Sequence, residues 1–113
     1  MIRRADEIAK CGTPDPGKPE LTIFKLNTFE NQPEKLRTYA LATVEPGGAV
    51  DFHVHEGECE YYYILSGTAE YNDNGTIVEV SAGDLTFTAD GEGHGIKNIG
   101  DDPLIFFPLI IKY

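Results

Sequence analysis

Short runs of apolar, β-branched and aromatic residues, separated by turn residues, fill the chain from residue 21 onward, and this pattern restricts its fold more than any other feature. Such runs are typical of β-strands, and the chain shows almost no helical period. Asn74-Gly75 lies between two runs and favours a tight hairpin, because a type I′ turn needs two residues that tolerate positive φ. We therefore expect an all-β antiparallel barrel or sandwich. The predicted strands cover Leu21–Leu26, Leu36–Val44, Phe52–His55, Glu60–Leu65, Gly67–Asn72, Thr76–Val80, Asp84–Thr88, Gly95–Asn98 and Leu104–Ile111.

Residues 1–20 differ from the rest of the chain. Ala5–Lys10 could form a short helix, and the prolines within residues 11–19 would end it, because proline fixes φ and lacks a donor. We predict an N-terminal arm over residues 1–20 and a single barrel domain over residues 21–113. A chain of 113 residues can bury enough surface for one core without disulfides.

The charge of the chain excludes several classes of partner. Nineteen acidic residues against nine basic ones give a formal charge of −10, which repels nucleic acids and anionic membrane surfaces. No apolar stretch approaches the roughly 18 residues of a transmembrane helix, and Met1–Lys10 has no apolar signal-peptide region. Cys11 and Cys59 make no disulfide framework. We expect a cytoplasmic protein with reduced thiols and no nucleic-acid or membrane partner.

All three histidines are placed so that they could meet at one metal ion. His53 and His55 are two residues apart on a predicted strand, so both side chains point to the same face. Glu60 follows across a short turn, and His94 lies in a separate glycine-rich segment. Three imidazoles and a carboxylate suit a first-row divalent ion and leave one or two open positions. Manganese, iron, nickel, cobalt, copper and zinc all fit this ligand set.

Two motifs resemble those of the cupin superfamily. The first agrees with the cupin pattern at every defined position and reads Gly47-x5-His53-x-His55-x4-Glu60-x6-Gly67. The second has alanine in place of the usual proline and reads Gly83-x5-Ala89-x-Gly91-x2-His94-x3-Asn98. The alanine occupies a turn and not a ligand position, so it affects the rigidity of the loop and leaves the ligand set unchanged.

The resemblance implies a fold and a metal site. The chain is similar to small single-domain cupins related to oxalate decarboxylase, which implies a double-stranded β-helix, the cupin jelly-roll barrel. One divalent ion would be held inside this barrel by His53, His55, Glu60 and His94. The motif glycines are interpreted as turn residues, and Asn98 as a residue that orders a turn through its side chain.

Tyr62 is the candidate catalytic residue. It shares a strand face with Glu60, so its hydroxyl could act as an acid or hydrogen-bond donor toward a bound ligand. The alternative is an aromatic core residue with a satisfied hydroxyl.

Arg37 and Glu58 are two further candidates. Arginine suits bidentate capture of a carboxylate, but alternation places Arg37 opposite Ala40 and Ala42 unless a bulge reverses it. Glu58 is interpreted as a lid or surface carboxylate, with a second metal ligand or general base as the alternative.

These residues predict metal-dependent binding of a small anionic ligand, a carboxylate or sugar acid, inside the barrel. The first hypothesis is an enzyme that uses the metal as a Lewis acid, with decarboxylase, lyase, isomerase and oxygenase chemistry all open. The alternative is a non-catalytic module that binds or senses a small molecule through the metal.

The opposite face of the Tyr62 strand predicts a homodimer. Tyr61, Tyr63 and Leu65 point away from the metal site, and the outward face of a jelly-roll sheet is normally polar. A second copy of the chain could cover this face. The alternative is a monomer whose own residues 1–20 fold back over the barrel.

Overall fold

The computed structural model describes residues 1–113 and contains one short helix and ten strands. No helix in it has the length and apolar character needed to cross a membrane. The elements, in chain order, are α1 (Ala5–Ala9), β1 (Gly12–Asp15), β2 (Lys18–Lys25), β3 (Leu36–Val44), β4 (Ala49–Val54), β5 (Glu58–Ser66), β6 (Thr68–Asp73), β7 (Thr76–Ser81), β8 (Leu85–Thr88), β9 (Gly93–Asn98) and β10 (Leu104–Lys112).

The strands form two antiparallel sheets. The six-stranded sheet has the order β1-β2-β3-β10-β5-β8, and the four-stranded sheet has the order β4-β9-β6-β7. Apolar side chains from both sheets pack into one core, as expected for a double-stranded β-helix, and the all-β prediction is confirmed. The core contains Leu21, Ala42, Val44, Tyr62, Ile64, Ala69, Tyr71, Val80, Ile96, Leu104 and Phe106.

Strand β5 alternates as the sequence predicts. Tyr62 and Ile64 are buried in the core, whereas Tyr61, Tyr63 and Leu65 are 37%, 45% and 49% exposed. Residues two positions apart on a strand point to the same face of the sheet. Strand β5 therefore presents one face to the barrel interior and an apolar face to the outside.

The predicted hairpin at Asn74-Gly75 joins β6 to β7. Asn74 has a φ of 48° and Gly75 a φ of 102°, so both turn residues adopt the left-handed region that a type I′ turn requires. The Gly75 N–H also donates to the Asn72 side chain at 2.7 Å. The strongest short-range signal in the sequence is therefore confirmed.

The N-terminal segment contains more strand than the sequence indicates. Helix α1 forms within the predicted helical stretch, but the proline-rich residues after it include β1, which pairs with β2. Pro14 is tolerated because β1 lies at the sheet edge, where one side needs no backbone partner. The Gly17 N–H donates to the Asp15 side chain at 2.9 Å and closes the turn between the two strands.

Candidate metal centre

The structure brings the four predicted ligands together inside the barrel. One ligand atom from each of His53, His55, Glu60 and His94 lies within 4.8 Å of every other. His55, Glu60 and His94 are buried, and His53 is half-buried at the edge of the cluster. The cluster thus has one side that a small molecule can approach.

Strand pairing explains how distant residues meet. His53 on β4 is the direct antiparallel partner of His94 on β9, and the β4–β9 ladder shifts register between Val50 and His53. The backbone N–H of His55 donates to Glu92 O at 2.9 Å, and the Gly91 N–H donates to His55 O at 2.7 Å. These bonds fix His55 just beyond the end of β4.

Each imidazole is anchored through Nδ1, so its Nε2 faces the centre of the cluster. The outward hydrogen bonds of His53 and His55 go to groups that only accept, a backbone carbonyl and a carboxylate. The third goes to a tyrosine hydroxyl. The partners are Asp51 O at 2.8 Å for His53, Glu58 Oε1 at 2.7 Å for His55 and Tyr71 Oη at 2.8 Å for His94.

The inward nitrogens of these rings converge as acceptors. Because Nδ1 of His53 and of His55 must carry a proton to donate outward, Nε2 of each neutral ring presents a lone pair. His55 Nε2 lies 3.1 Å from His53 Nε2 and 3.2 Å from His94 Nε2. Glu60 Oε1 lies 2.8 Å and 2.7 Å from the same two buried nitrogens of His55 and His94. Acceptors this close repel one another unless a cation lies between them.

The distances fit a single divalent ion. Ligands bound at about 2.0–2.2 Å to one ion, at right angles to each other, lie roughly 3 Å apart. The closest pairs in the cluster lie between 2.7 and 3.2 Å. The four side chains therefore form a site that a first-row divalent ion would satisfy.

Glu60 is held ionised. Burial opposes its ionisation, but the contacts with His53 and His94 and the charge of the neighbouring imidazoles outweigh burial and lower the pKa of Glu60 to about 2. For His53, the contact with Glu60 raises the pKa more than burial lowers it. The site therefore offers a permanent carboxylate and favours positive charge beside it.

Tyr71 contacts the four-residue cluster, and sequence reasoning missed it. Its hydroxyl lies 2.8 Å from Nδ1 of His94 and 3.1 Å from Thr88 Oγ1. Burial raises the pKa of the Tyr71 hydroxyl, so it stays protonated. Nothing near Tyr71 in the sequence signals this role, because it depends on β6 pairing with β9. Partners of this kind orient metal-binding imidazoles.

Tyr62 lies against the cluster and borders a cavity of about 390 Å³ beside it. Its ring packs at a tilt against His94, with 4.6 Å between centroids, and against Phe106, with 4.5 Å. The side chain is only 3% exposed, yet its hydroxyl makes no hydrogen bond within the protein. Burial raises the pKa of the Tyr62 hydroxyl well above its usual value, so the hydroxyl is a neutral donor.

Arg37 lines the same cavity, which strand alternation alone did not predict. The pairing of β3 with β10 passes from Thr38 opposite Ile110 to Leu36 opposite Ile111, so Arg37 is the extra residue of a bulge. A bulge re-aims the side chain it carries. The guanidinium forms an ion pair with Glu58.

Glu58 lies outside the four-residue cluster and is paired, so it is not a free surface carboxylate. The same oxygen, Oε1, binds Arg37 and accepts from Nδ1 of His55. Burial acts to raise its pKa, but the hydrogen bonds from His55 and Arg37 outweigh burial and hold the pKa of Glu58 below its usual value. Glu58 therefore links Arg37 to the metal-binding imidazole.

The turn that departs from the second motif is closed by hydrogen bonds. Ala89 N–H donates to Glu92 Oε1 at 3.0 Å, and Glu92 N–H donates to Ala89 O at 3.1 Å. Proline could not make the first of these bonds. Asn98 orders its own turn, with Nδ2 donating to Val44 O and Asp102 O, both at 2.8 Å.

Comparison with known proteins agrees with the two motifs. The model of the cupin domain family matches residues 40–111. The oxalate-binding protein of Thermotoga maritima is 40% identical over 113 residues, which cover 98% of this chain and 93% of that protein. An oxalate decarboxylase of Bacillus subtilis is 35% identical over 75 residues, 62% of this chain but only 20% of that enzyme.

Solved structures agree with the observed fold. A predicted oxalate decarboxylase from Thermotoga maritima superposes with a TM-score of 0.90 and 36% identity over 100% of both chains. A protein from Photorhabdus luminescens shares the fold, with a TM-score of 0.80 at 20% identity over 99% of this chain and 88% of that one. The motifs, the site geometry and these similarities lead to one identification: the chain belongs to the cupin family.

Proposed function

We propose that this cupin binds one divalent transition-metal ion through His53, His55, Glu60 and His94, and through that ion a small carboxylate ligand. The observation that carries the proposal is the convergence of imidazole Nε2 atoms, anchored from outside through Nδ1, on one ionised carboxylate. Manganese, iron, nickel, cobalt, copper and zinc remain candidate ions.

The charge of the site favours a small anion. A divalent ion beside the Glu60 carboxylate leaves about one positive charge at the centre. The adjoining cavity of about 390 Å³ is the size of a small-molecule pocket. The oxalate-binding protein of Thermotoga maritima, 40% identical, supports a small carboxylate over the sugar acids that the sequence also allows.

The proposed reaction uses the ion as a Lewis acid, which polarises a ligand oxygen when bound. Tyr62 is the proposed catalytic residue. Tyr62 lines the cavity, and its unpaired hydroxyl, with its pKa raised by burial, would donate a hydrogen bond to the ligand. His53 lies at the open side of the cluster, where a ligand would enter.

Non-catalytic binding is the second candidate function, and the cavity wall favours it. Apart from Tyr62, the titratable side chains that line the cavity are three members of the cluster together with Arg37 and Glu58, and the last two are already paired with each other. The three cluster members are His53, His55 and Glu60. Most of the other wall residues are apolar, including Ile23, Val50 and Phe106. A binding or sensing module needs no further acid or base.

Calorimetric titration of oxalate into metal-loaded and metal-free protein tests the proposal. We expect oxalate to bind only the loaded form, and Tyr62→Phe to weaken binding about fivefold or more by removing one hydrogen bond. Tyr113→Phe, at the exposed chain end, is the matched control. Equal oxalate binding with and without metal would contradict the proposal. Release of carbon dioxide or another product on prolonged incubation would separate the enzyme from the binding module.

We also propose a homodimer formed through the outer face of the six-stranded sheet. Six side chains there border a depression of about 400 Å³, an unusual feature for a surface that faces water. Helix α1 and β1 lie beside β2, near the other edge of the sheet, and leave this face uncovered. The six side chains, called the outer apolar patch, are Tyr39, Tyr61, Tyr63, Leu85, Phe107 and Leu109.

The cytoplasm is the proposed location. Cys11 and Cys59 are both free, which suits a reducing compartment. The formal charge of −10 disfavours nucleic acids and anionic membranes as partners. Measurement of free thiols in the freshly isolated protein should find both cysteines reduced.

A further inference from the structure

We propose that Arg37 selects dicarboxylates, by binding the carboxylate group of the ligand that points away from the metal ion. This inference rests on the proposed function. Arg37 is the only lysine or arginine among the residues that line the cavity. A second carboxylate in the cavity therefore has one fixed cationic partner, and a ligand with a single carboxylate does not use it.

The guanidinium of Arg37 has donors to spare. Within the protein its side chain makes one hydrogen bond, from Nη1 to Glu58 Oε1. A guanidinium carries five N–H donors in a planar fork, so Nε and Nη2 stay free. The side chain is 53% exposed, which leaves this free edge open at the mouth of the cavity. A carboxylate can bind such an edge with two parallel hydrogen bonds.

Glu58 holds the guanidinium close to the metal site. Its Oε1 atom binds both Arg37 and Nδ1 of His55, the latter at 2.7 Å. One carboxylate oxygen and one imidazole ring thus separate the guanidinium from the Nε2 atom that faces the ion. This short, rigid connection fits dicarboxylates with few or no carbons between their carboxylates.

Arg37 also cancels a charge that would repel such ligands. The side chain of Glu58 is 13% exposed, forms an ion pair with Arg37 and lines the cavity, so its carboxylate lies beside any bound ligand. Without Arg37 this negative charge would face any incoming anion. The ion pair makes the wall neutral and leaves donors directed at the ligand.

Calorimetric titration with oxalate and glycolate tests the inference. Both ligands can bind a metal ion through one carboxylate, but glycolate has a hydroxyl where oxalate has its second carboxylate. The proteins are metal-loaded wild type, Arg37→Met, Arg37→Met with Glu58→Gln, and Lys35→Met. We expect Arg37→Met to lower oxalate affinity about 10- to 100-fold more than glycolate affinity. Lys35→Met makes the same change of charge two residues away, outside the cavity, and should bind both ligands like wild type.

The double variant separates contact from charge. It removes the negative charge of Glu58 together with Arg37. If Arg37 only neutralised that charge, the double variant would recover the preference for oxalate, and this result would overturn the inference. Direct contact predicts that the preference stays lost. Metal content measured for every variant shows whether the site is loaded, since Glu58 also holds His55.

Two results distinguish the two proposals. Wild-type protein that binds neither ligand when loaded overturns the proposed function and this inference with it. Wild-type protein that binds oxalate, with an unchanged ratio of oxalate to glycolate affinity in Arg37→Met, overturns the role of Arg37 alone.

Discussion

The two faces of strand β5 carry different kinds of interaction. On the inner face, Glu60 Oε1 lies 2.8 and 2.7 Å from Nε2 of two imidazoles, and the Tyr62 ring packs against one of them. On the outer face, Tyr61 and Tyr63 belong to the outer apolar patch. Polar contacts at fixed distances depend on single atoms, whereas apolar contact scales with area. The inner face of β5 therefore belongs to a site that the loss of a single polar atom can disrupt. The outer face belongs to a surface that tolerates the exchange of one apolar side chain for a similar one.

Loss of a metal ligand is the largest expected effect. His94→Ala removes a buried imidazole that contacts Glu60 and His55, and the remaining groups cannot complete the ligand set. We expect elemental analysis to find no stoichiometric metal, while the dimer remains. Lys97→Ala, an exposed change on the same strand β9, is the control and should load normally. His53→Ala and His55→Ala should behave like His94→Ala, and full metal retention in any two of the three would refute the site.

A charge on the outer face should break the dimer and leave the metal site intact. Tyr63→Asp places a carboxylate in the outer apolar patch, which disfavours burial against a second copy. Light scattering at micromolar concentration should give a mass near 12.5 kDa for the variant and about twice that for wild type. Metal content should not change. A wild-type mass of one chain would exclude the dimer, and metal loss in Tyr63→Asp would show that the two faces of β5 are not independent.

Metal loading should stabilise a barrel that folds without it. The core joins residues of both sheets, such as Ile64 and Ile96, independently of the site. Binding to the folded state alone adds about 2.7 kcal/mol when free metal is 100-fold above its dissociation constant. Thermal unfolding followed by circular dichroism, with metal and then with chelator, measures the difference. A disordered metal-free chain would contradict this expectation.

Loss of the tyrosine behind His94 should have a smaller effect than loss of a ligand. Tyr71→Phe keeps the ring in the core and removes the 2.8 Å contact with Nδ1 of His94. We expect metal affinity to fall about 10- to 100-fold, measured by competition with a chelator of known affinity. Tyr39→Phe makes the same chemical change on the outside of the barrel and should leave affinity unaltered. If the two variants had equal affinities, Tyr71 would have no orienting role.

The parts of the molecule that local sequence determines were predictable. The two-residue spacing of His53 and His55 places both on one strand face, and Asn74-Gly75 dictates a tight hairpin. The alternation of β5 predicted which tyrosines are buried and which are exposed. In each case the physical cause acts over a few residues.

The parts that depend on pairing between distant strands were not predictable. Arg37 reaches the cavity because of a bulge opposite Ile110 and Ile111. No residue within β3 itself indicates the position of this bulge. Tyr71 meets His94 only because β6 lies beside β9. Strand β1 forms because a neighbouring edge is available for its proline-containing segment. Pairing with distant strands, and not the local sequence, determines each of these features.

The most direct test of the account is the metal content of the wild-type protein. Purified protein is stripped with chelator, reloaded in turn with manganese, iron, cobalt, nickel, copper or zinc, freed of excess ion and analysed for bound metal. The convergence of three imidazoles and Glu60 predicts about one ion per chain for at least one of these metals. Protein that retains none of the six in stoichiometric amount would contradict the central claim.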